Sequence, residues 1–408
     1  MKFELLFSKL IAKSYRDIIS EISLQNTWNA FDDRAVKFVN EFSLKLLKHP
    51  QINSYPDLVA LAYWFRKSKI KRLKEKYIST PNNLKKGKGL AFHVSPSNVD
   101  TIFIYSFFIS LLAGNYNLIR ISRNSSEQVD ILLNIFKELA KNDEHECAKR
   151  FVICTYDHDQ DITSFFSSNC DLRILWGGDT SVNEISSYQI KPTASEIKFP
   201  DRTSFSIINL SQIKKENDEV LNKLAMAFYK DIELFGQQAC SSPKAVFFVG
   251  KKSDKKFAKI FTDKVNEQTA IQVEDSQNMN RYVSATSMSI KKAIDTSEFR
   301  FDSKKVTFLE GLLGNDNSFR DNHFGEGLVI QYFVKDLEQV SKYVNEKDQT
   351  VSVFGFSNDE LIKFIDTINN RGVDRVVPIG TSLEFEHIWD GNDLFETMSR
   401  NISISSNI

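Results

Sequence analysis

Cysteine, proline and glycine are all scarce in this chain of 408 residues, at 4, 8 and 15 residues. Four cysteines are too few for a disulfide scaffold. Cys147, Cys154, Cys170 and Cys240 form no Cys-x-x-Cys pair, which sets aside zinc ribbons and dithiol redox motifs. Low Gly and Pro exclude collagen-like and low-complexity chains. Neither sign of charge is in excess: 53 Lys+Arg stand against 53 Asp+Glu. A nucleic-acid binder would carry a net basic balance or a strongly basic domain. A balanced chain also has no global field to steer an anionic substrate. No apolar run reaches the roughly 20 residues that span a bilayer. The most apolar stretch, Ile102 to Ala113, is interrupted by Ser106 and Ser110. The amino terminus, Met1-Lys2-Phe3-Glu4, has no long apolar segment before Lys9 and Lys13, so it does not read as a secretory signal. A cytoplasmic location with reduced thiols is the expectation.

What is present is ordinary in bulk and informative in order. Hydrophobic residues are 41% and charged residues 26%, as in soluble globular proteins. The length suggests two or three domains at about 100–200 residues each. Phe is over-used, at 33 residues, and reads first as core. Residues 1 to about 80 carry apolar residues at three- and four-residue spacing and are predicted helical. Residues 66–88 are strongly basic, which suits a solvated helix face or attraction of phosphates. A strand–helix alternation follows, with strands at 89–94, 118–121, 151–154, 172–176 and 205–208. The intervening helices include 100–112, stopped by Gly114-Asn115, and 126–140, with Ser126 as N-cap. Short apolar strands alternating with helices imply an α/β fold with a mostly parallel sheet covered on both faces. A composition shift near Asn209 opens a second α/β unit, with further strands at 245–249, 328–334 and 351–356.

Few residues stand out chemically. Cys240 lies between a helix and a strand, inside the small and polar turn Gly236-Gln237-Gln238-Ala239-Cys240-Ser241-Ser242-Pro243. Structural cysteines normally sit within apolar runs, as Cys154 does, whereas this setting suits an accessible nucleophile. Cys154 and Cys170 read as core and Cys147 as surface. His93 reads as a hydrogen-bonded core residue. Neither it nor His323 has a neighbour completing a metal-ligand set, and no metal is expected. Gly87/Gly89 and Gly325/Gly327 are fragments of a dinucleotide fingerprint in the wrong context. Gly177-Gly178-Asp179-Thr180 is the better anion site, because it follows a strand and opens a helix.

Four segments, in order, resemble the aldehyde dehydrogenase superfamily. Gly89–Asn98 is similar to its first cofactor strand and Pro-x-Asn turn, and Ala113–Arg120 to its second cofactor strand. Trp176–Asp179 resembles its turn against the cofactor, and Gly236–Cys240 its nucleophile segment. Within that superfamily, Gln237–Pro243, the tail Arg371–Gly380 and Trp389-Asp390-Gly391 resemble the LuxC-type acyl-CoA reductases, the fatty-acid reductase component of bacterial luminescence.

The resemblance implies an aldehyde dehydrogenase-like fold with a Rossmann-type cofactor domain (1–208), an α/β catalytic domain (209–378) and a bridging or oligomerisation segment (379–408). It implies reduction of an acyl thioester, carried on coenzyme A or on protein, to the aldehyde through a Cys240 acyl-enzyme. Asn98 and the Cys240 N–H would stabilise the oxyanion. Ser95, Pro96, Arg120, Arg123, Gly177, Gly178 and Asp179 would contact the cofactor. Where NAD-preferring members carry a Glu, this chain has Arg123. A carboxylate would repel a 2′-phosphate and an Arg would pair with it, so NADPH is the expected cofactor. The general-base Glu of hydrolytic members has no counterpart in register at 199–204. Glu196 lies nearby and Glu326 has no match. An acyl-protein synthetase partner and a homo-oligomer are further expectations. The rival readings are the same chemistry on an activated sugar acid, NAD(P)-dependent aldehyde oxidation, and a non-catalytic subunit of a reductase complex.

Overall fold

The computed structural model describes residues 3–12, 14–78, 83–96, 101–122, 126–141, 146–267, 275–290, 305–313, 319–320, 323 and 325–405. The chain forms two compact units: residues 1–201 with 385–408, and residues 202–384.

The first unit opens with strand β1 (Glu4–Phe7) and helices α1 (Tyr15–Ser23), α2 (Asp33–Leu47), α3 (Pro56–Trp64) and α4 (Lys67–Tyr77). Strand β2 (Asn83–Gly87) leads into the alternation β3 (Leu90–Val94), α5 (Ile102–Leu112), β4 (Tyr116–Arg120), α6 (Glu127–Leu139), β5 (Phe151–Thr155), α7 (Gln160–Asn169), β6 (Leu172–Trp176), α8 (Asp179–Ser186) and β7 (Ser195–Phe199). The sheet order is β1-β5-β4-β3-β6-β7. All pairs are parallel except β1 with β5. β3 and β5 are buried at every position, as strands covered on both faces must be. α5 is buried all round, so it is an apolar helix of the protein core. Among the described residues no helix is long and apolar enough to cross a membrane. Gly114 ends α5 at φ +98, where a Cβ would lie 2.2 Å from the Trp28 carbonyl oxygen, so only glycine fits. Ser126 caps α6 by accepting the Val129 N–H, as its position predicts. Phe38, Phe42, Phe107, Phe108, Phe136 and Phe151 are essentially inaccessible and pack ring on ring, which accounts for much of the Phe excess as core.

Two features depart from the helical expectation for residues 1–80 and the segment after it. Leu5-Leu6-Phe7 is an apolar run too short to show its period, and it adds an antiparallel edge strand to β5. β2 pairs with a strand from the far end of the chain, a contact that local patterning cannot reveal.

The second unit contains β8 (Thr203–Asn209), α9 (Leu210–Ile213), α10 (Asp218–Glu233), β9 (Pro243–Val249), α11 (Lys255–Glu267), α12 (Asp275–Ile290), β10 (Thr307–Glu310), β11 (Leu328–Val334), α13 (Leu337–Ser341), β12 (Asp348–Phe354), α14 (Asn358–Asp366) and β13 (Arg375–Pro378). Its sheet runs β10-β11-β9-β8-β12-β13, parallel throughout. One face packs Phe205, Ile207, Phe247 and Ile330, and the other packs Ile208, Phe228, Val246 and Phe248. The units divide at 201/202, whereas the composition shift lies near 209, because β8 pairs with β9 and β12.

The tail rejoins the first unit. β14 (Ile388–Trp389) and β15 (Asn392–Asp393) form a hairpin, followed by α15 (Leu394–Met398) and β16 (Ser399–Ser403), which pairs with β2. Asp390 (φ 48) and Gly391 (φ 71) form the hairpin loop, where two positive φ values favour an Asp-Gly pair. Residues 385–405 thus group with the first unit.

Candidate active site

In the first sheet, the chain builds β3, β4 and β5 outward on one side, then crosses back to place β6 on the other side of β3. The strand order reverses between β3 and β6, and ligands of doubly wound sheets bind outside the carboxyl ends at such a point. Ser95 and Pro96 follow β3 there, and Gly177 and Gly178 follow β6. Ser95 donates its N–H to the Arg120 carbonyl oxygen at 3.0 Å. Its buried hydroxyl has no hydrogen-bond partner among the described residues.

Gly178 caps α8 at φ −66, ψ 158, a conformation open to any residue, and a Cβ there would meet nothing within 4 Å. At Gly177 a Cβ would make only ordinary contact, at 3.8 Å, with Ser181. Neither backbone strain nor packing calls for glycine at these two positions. The pair opens a helix, whose positive end favours an anion, and the open space leaves room for a ligand to approach the backbone.

Asp179 accepts the Asp201 N–H at 3.1 Å. Arg120, half-buried at the end of β4, donates to the Tyr156 carbonyl oxygen at 3.2 Å. Asn98 and Arg123 lie outside the described residues.

The cysteines separate sharply. Cys154 and Cys170 are buried as predicted; burial pushes the Cys170 thiol up to about 12 and raises that of Cys154. Cys147, expected at the surface, is instead fully buried, and desolvation pushes its thiol up to about 12. The short turn 146–149 directs Cys147 and Ala148 inward. Cys240 is the one cysteine of the four that is only partly buried.

The segment before Cys240 is strained. Phe235 (φ 59, ψ 23), Gly236 (φ 55, ψ 29) and Gln237 (φ 61) take the left-handed conformation in succession. For the two non-glycine residues this costs about 1–2 kcal/mol each. Gln237, fully buried, holds the turn: its Nε2 donates to the carbonyl oxygens of Pro243 (2.7 Å) and Leu328 (2.8 Å), and its Oε1 accepts the Gly327 N–H (3.0 Å). Such over-determination lets a strained turn persist.

The turn lies across the amino ends of three parallel strands, where Pro243, Ser204 and Thr350 stand in register. Ser204 donates its hydroxyl to the Cys240 carbonyl oxygen at 2.7 Å. Gln349 donates Nε2–H to the Cys240 sulfur at 3.4 Å.

His93 is a core residue, as predicted. It bonds Ser106 and Asn117, and burial pushes it down to about 4. His323 is likewise buried and held near 3, so it stays neutral. Glu196 is engaged by Arg173, by Lys198 at 3.0 Å and by Ser186 at 3.2 Å, a structural set on β7. Glu326, unmatched in the sequence, lies against the nucleophile segment. Its N–H donates to the Gly236 carbonyl oxygen at 3.0 Å, and partial burial raises its carboxyl. Gly325/Gly327 thus flank a turn clasped to Gly236 and Gln237, rather than a phosphate loop. Ser204 and Gln349 carry no motif and could be found only by strand register. Among the described residues no group of three His, Cys, Asp or Glu is placed to hold a metal.

Comparisons place this geometry among known proteins. The chain resembles aldehyde dehydrogenase 21 from Physcomitrella patens at TM-score 0.69 and 10% identity, covering 96% of this chain and 90% of that one. It resembles glyceraldehyde-3-phosphate dehydrogenase from Methanocaldococcus jannaschii, solved with NADP, at TM-score 0.66 and 14% identity, covering 97% and 95%. The fold is therefore aldehyde dehydrogenase-like. The chain is 24% identical over 296 residues to the long-chain acyl-protein thioester reductase of Aliivibrio fischeri. That match takes in 72% of this chain but 58% of that protein's length. The family model described as Acyl-CoA reductase (LuxC) matches residues 71–401, most of the chain from the basic helix to the last strand, and the chain belongs to that family.

Proposed function

We propose that this protein reduces an acyl thioester to an aldehyde with NADPH, through a thioester formed on Cys240. The observation that carries the reading is the half-buried Cys240 thiol in its fixed turn, set against three cysteines sealed in the core. The fatty-acyl class follows the named relatives, and the donor is an acyl-CoA or an acyl-protein.

Cys240 attacks the thioester carbonyl as a thiolate, and the donor thiol leaves. The developing oxyanion is assigned to Asn98 and the Cys240 N–H. When bound, a nicotinamide cofactor would supply hydride to the acyl-enzyme carbonyl, and the thiohemiacetal so formed on Cys240 would collapse to aldehyde and return the thiolate. Ser95, Pro96, Arg120, Gly177, Gly178 and Asp179 are assigned to the cofactor. Their fit is supported by the open glycine turn and by the Ser95 hydroxyl, which has no partner among the described residues, at the carboxyl ends of the same sheet. Arg123 is assigned to the 2′-phosphate. The engagement of Glu196 by Arg173 removes that residue as a general base for water.

The test is aldehyde formation from long-chain acyl-CoA with NADPH and with NADH. Aldehyde with a higher kcat/KM for NADPH supports the reading. Turnover by Cys240→Ala at the wild-type rate, or preference for NADH, contradicts the corresponding part.

A further inference from the structure

The Cys240 sulfur accepts a hydrogen bond from a strand that no motif marks. Gln349, the second residue of β12, is 2% exposed, and its Nε2 lies 3.4 Å from Sγ. Its Oε1 accepts the Thr350 hydroxyl at 3.3 Å, while the N–H edge of the amide faces the sulfur. The end of β12 is itself pinned. Asp348, fully buried, accepts Thr203 Oγ1 (2.9 Å), Arg320 Nε (2.9 Å) and the Asn345 N–H (2.8 Å). The Asp374 N–H donates to the Gln349 carbonyl oxygen at 2.9 Å. Ser204 ties the Cys240 carbonyl to the same edge and accepts the Thr350 N–H at 3.1 Å.

We propose that Gln349 is a catalytic residue of the Cys240 centre, donating its amide N–H to Sγ and holding the sulfur as the attacking thiolate. The inference rests on the Cys240 reading above. A neutral thiol is a weak acceptor, whereas a thiolate is a charged one, so a fixed donor favours the charged form. The S–H bond breaks, the proton goes to water and the electron pair stays on sulfur. An amide has no proton to lose in the working range, so its support does not vary with pH, unlike that of a histidine. The same donor stabilises the sulfur as leaving group when the thiohemiacetal collapses.

The experiment is the pH dependence of iodoacetamide alkylation at Cys240, read by intact mass, for the wild type, Gln349→Met, Gln349→Glu and Thr350→Val. Cys240→Ala identifies the site. Gln349→Met keeps the bulk and removes the donor. It is expected to shift the alkylation midpoint up by about one pH unit, roughly tenfold slower below the midpoint. Gln349→Glu should shift it further, and Thr350→Val, which only frees the amide, by less. Urea midpoints identify any variant that fails to fold, and Thr350→Val keeps the test alive if Gln349→Met is lost. Superimposable profiles, or faster alkylation in Gln349→Met, overturn the proposal. Full reductase activity in Cys240→Ala would instead overturn the functional reading, so the two failures are distinguishable.

Discussion

The two units use the same device, a six-stranded sheet of mostly parallel strands, but at opposite edges. In the first, the candidate cofactor residues follow the carboxyl ends of β3, β4 and β6, at the reversal of strand order. In the second, Cys240, Ser204 and Gln349 gather at the amino ends of β9, β8 and β12. The first edge works by omission: two glycines without a packing reason and a helix start. The second works by construction: a left-handed turn clasped by Gln237 and side-chain bonds across strands. The proposed binding edge follows from topology, whereas the proposed reacting edge must be built residue by residue. Substitutions of the cofactor residues at the first edge should therefore move cofactor affinity and spare acylation, and those at the second edge should do the reverse.

Cys240→Ala should show the contrast most plainly. Loss of aldehyde formation by at least ~10⁴-fold is expected, with the cofactor Kd unchanged, since nucleophile removal leaves only residual catalysis. Cofactor titration by fluorescence checks the second half. Arg123→Glu should lower kcat/KM with NADPH by about 10–100-fold, through loss of a charge-assisted pair and added repulsion, with acyl adduct formation unchanged.

Acid should show the units alike. His93 and His323 are pushed by burial to about 4 and about 3. The unfolded chain takes up their protons near pH 6.5, before the folded one does. Stability is thus fully present above 6.5 and falls as pH drops toward those values, by about 2 kcal/mol per histidine at pH 5. Urea midpoints at pH 7.5 and 5 measure this, and His323→Gln should recover part of the loss. The smallest effect is expected at Gly178→Val. The fold should be untouched, because a side chain there meets open space, while cofactor binding weakens by about fivefold.

Much of this was legible in order and spacing. The strand–helix alternation, the cap at Ser126, the core role of His93 and the odd setting of Cys240 all follow from local chemistry. Cys147 and the strands β1 and β2 were not legible, because each owes its state to partners distant in sequence. The edge that holds Cys240 shows the same limit more sharply. The turn 236–243 announces itself, but Ser204 and Gln349 are unremarkable polar residues until parallel register brings β8 and β12 beside it. Glu326 is similar: its Gly-Glu-Gly setting marks a tight turn, and only the fold puts that turn against Gly236.

The most direct measurement is the intact mass of the protein after incubation with long-chain acyl-CoA, before and after adding NADPH, with Cys240→Ala alongside. The account predicts an acyl adduct on the wild type that maps to Cys240, is missing from the variant, and disappears with aldehyde release when NADPH is added. An adduct on another residue, or an adduct on Cys240 that NADPH leaves in place, would contradict it.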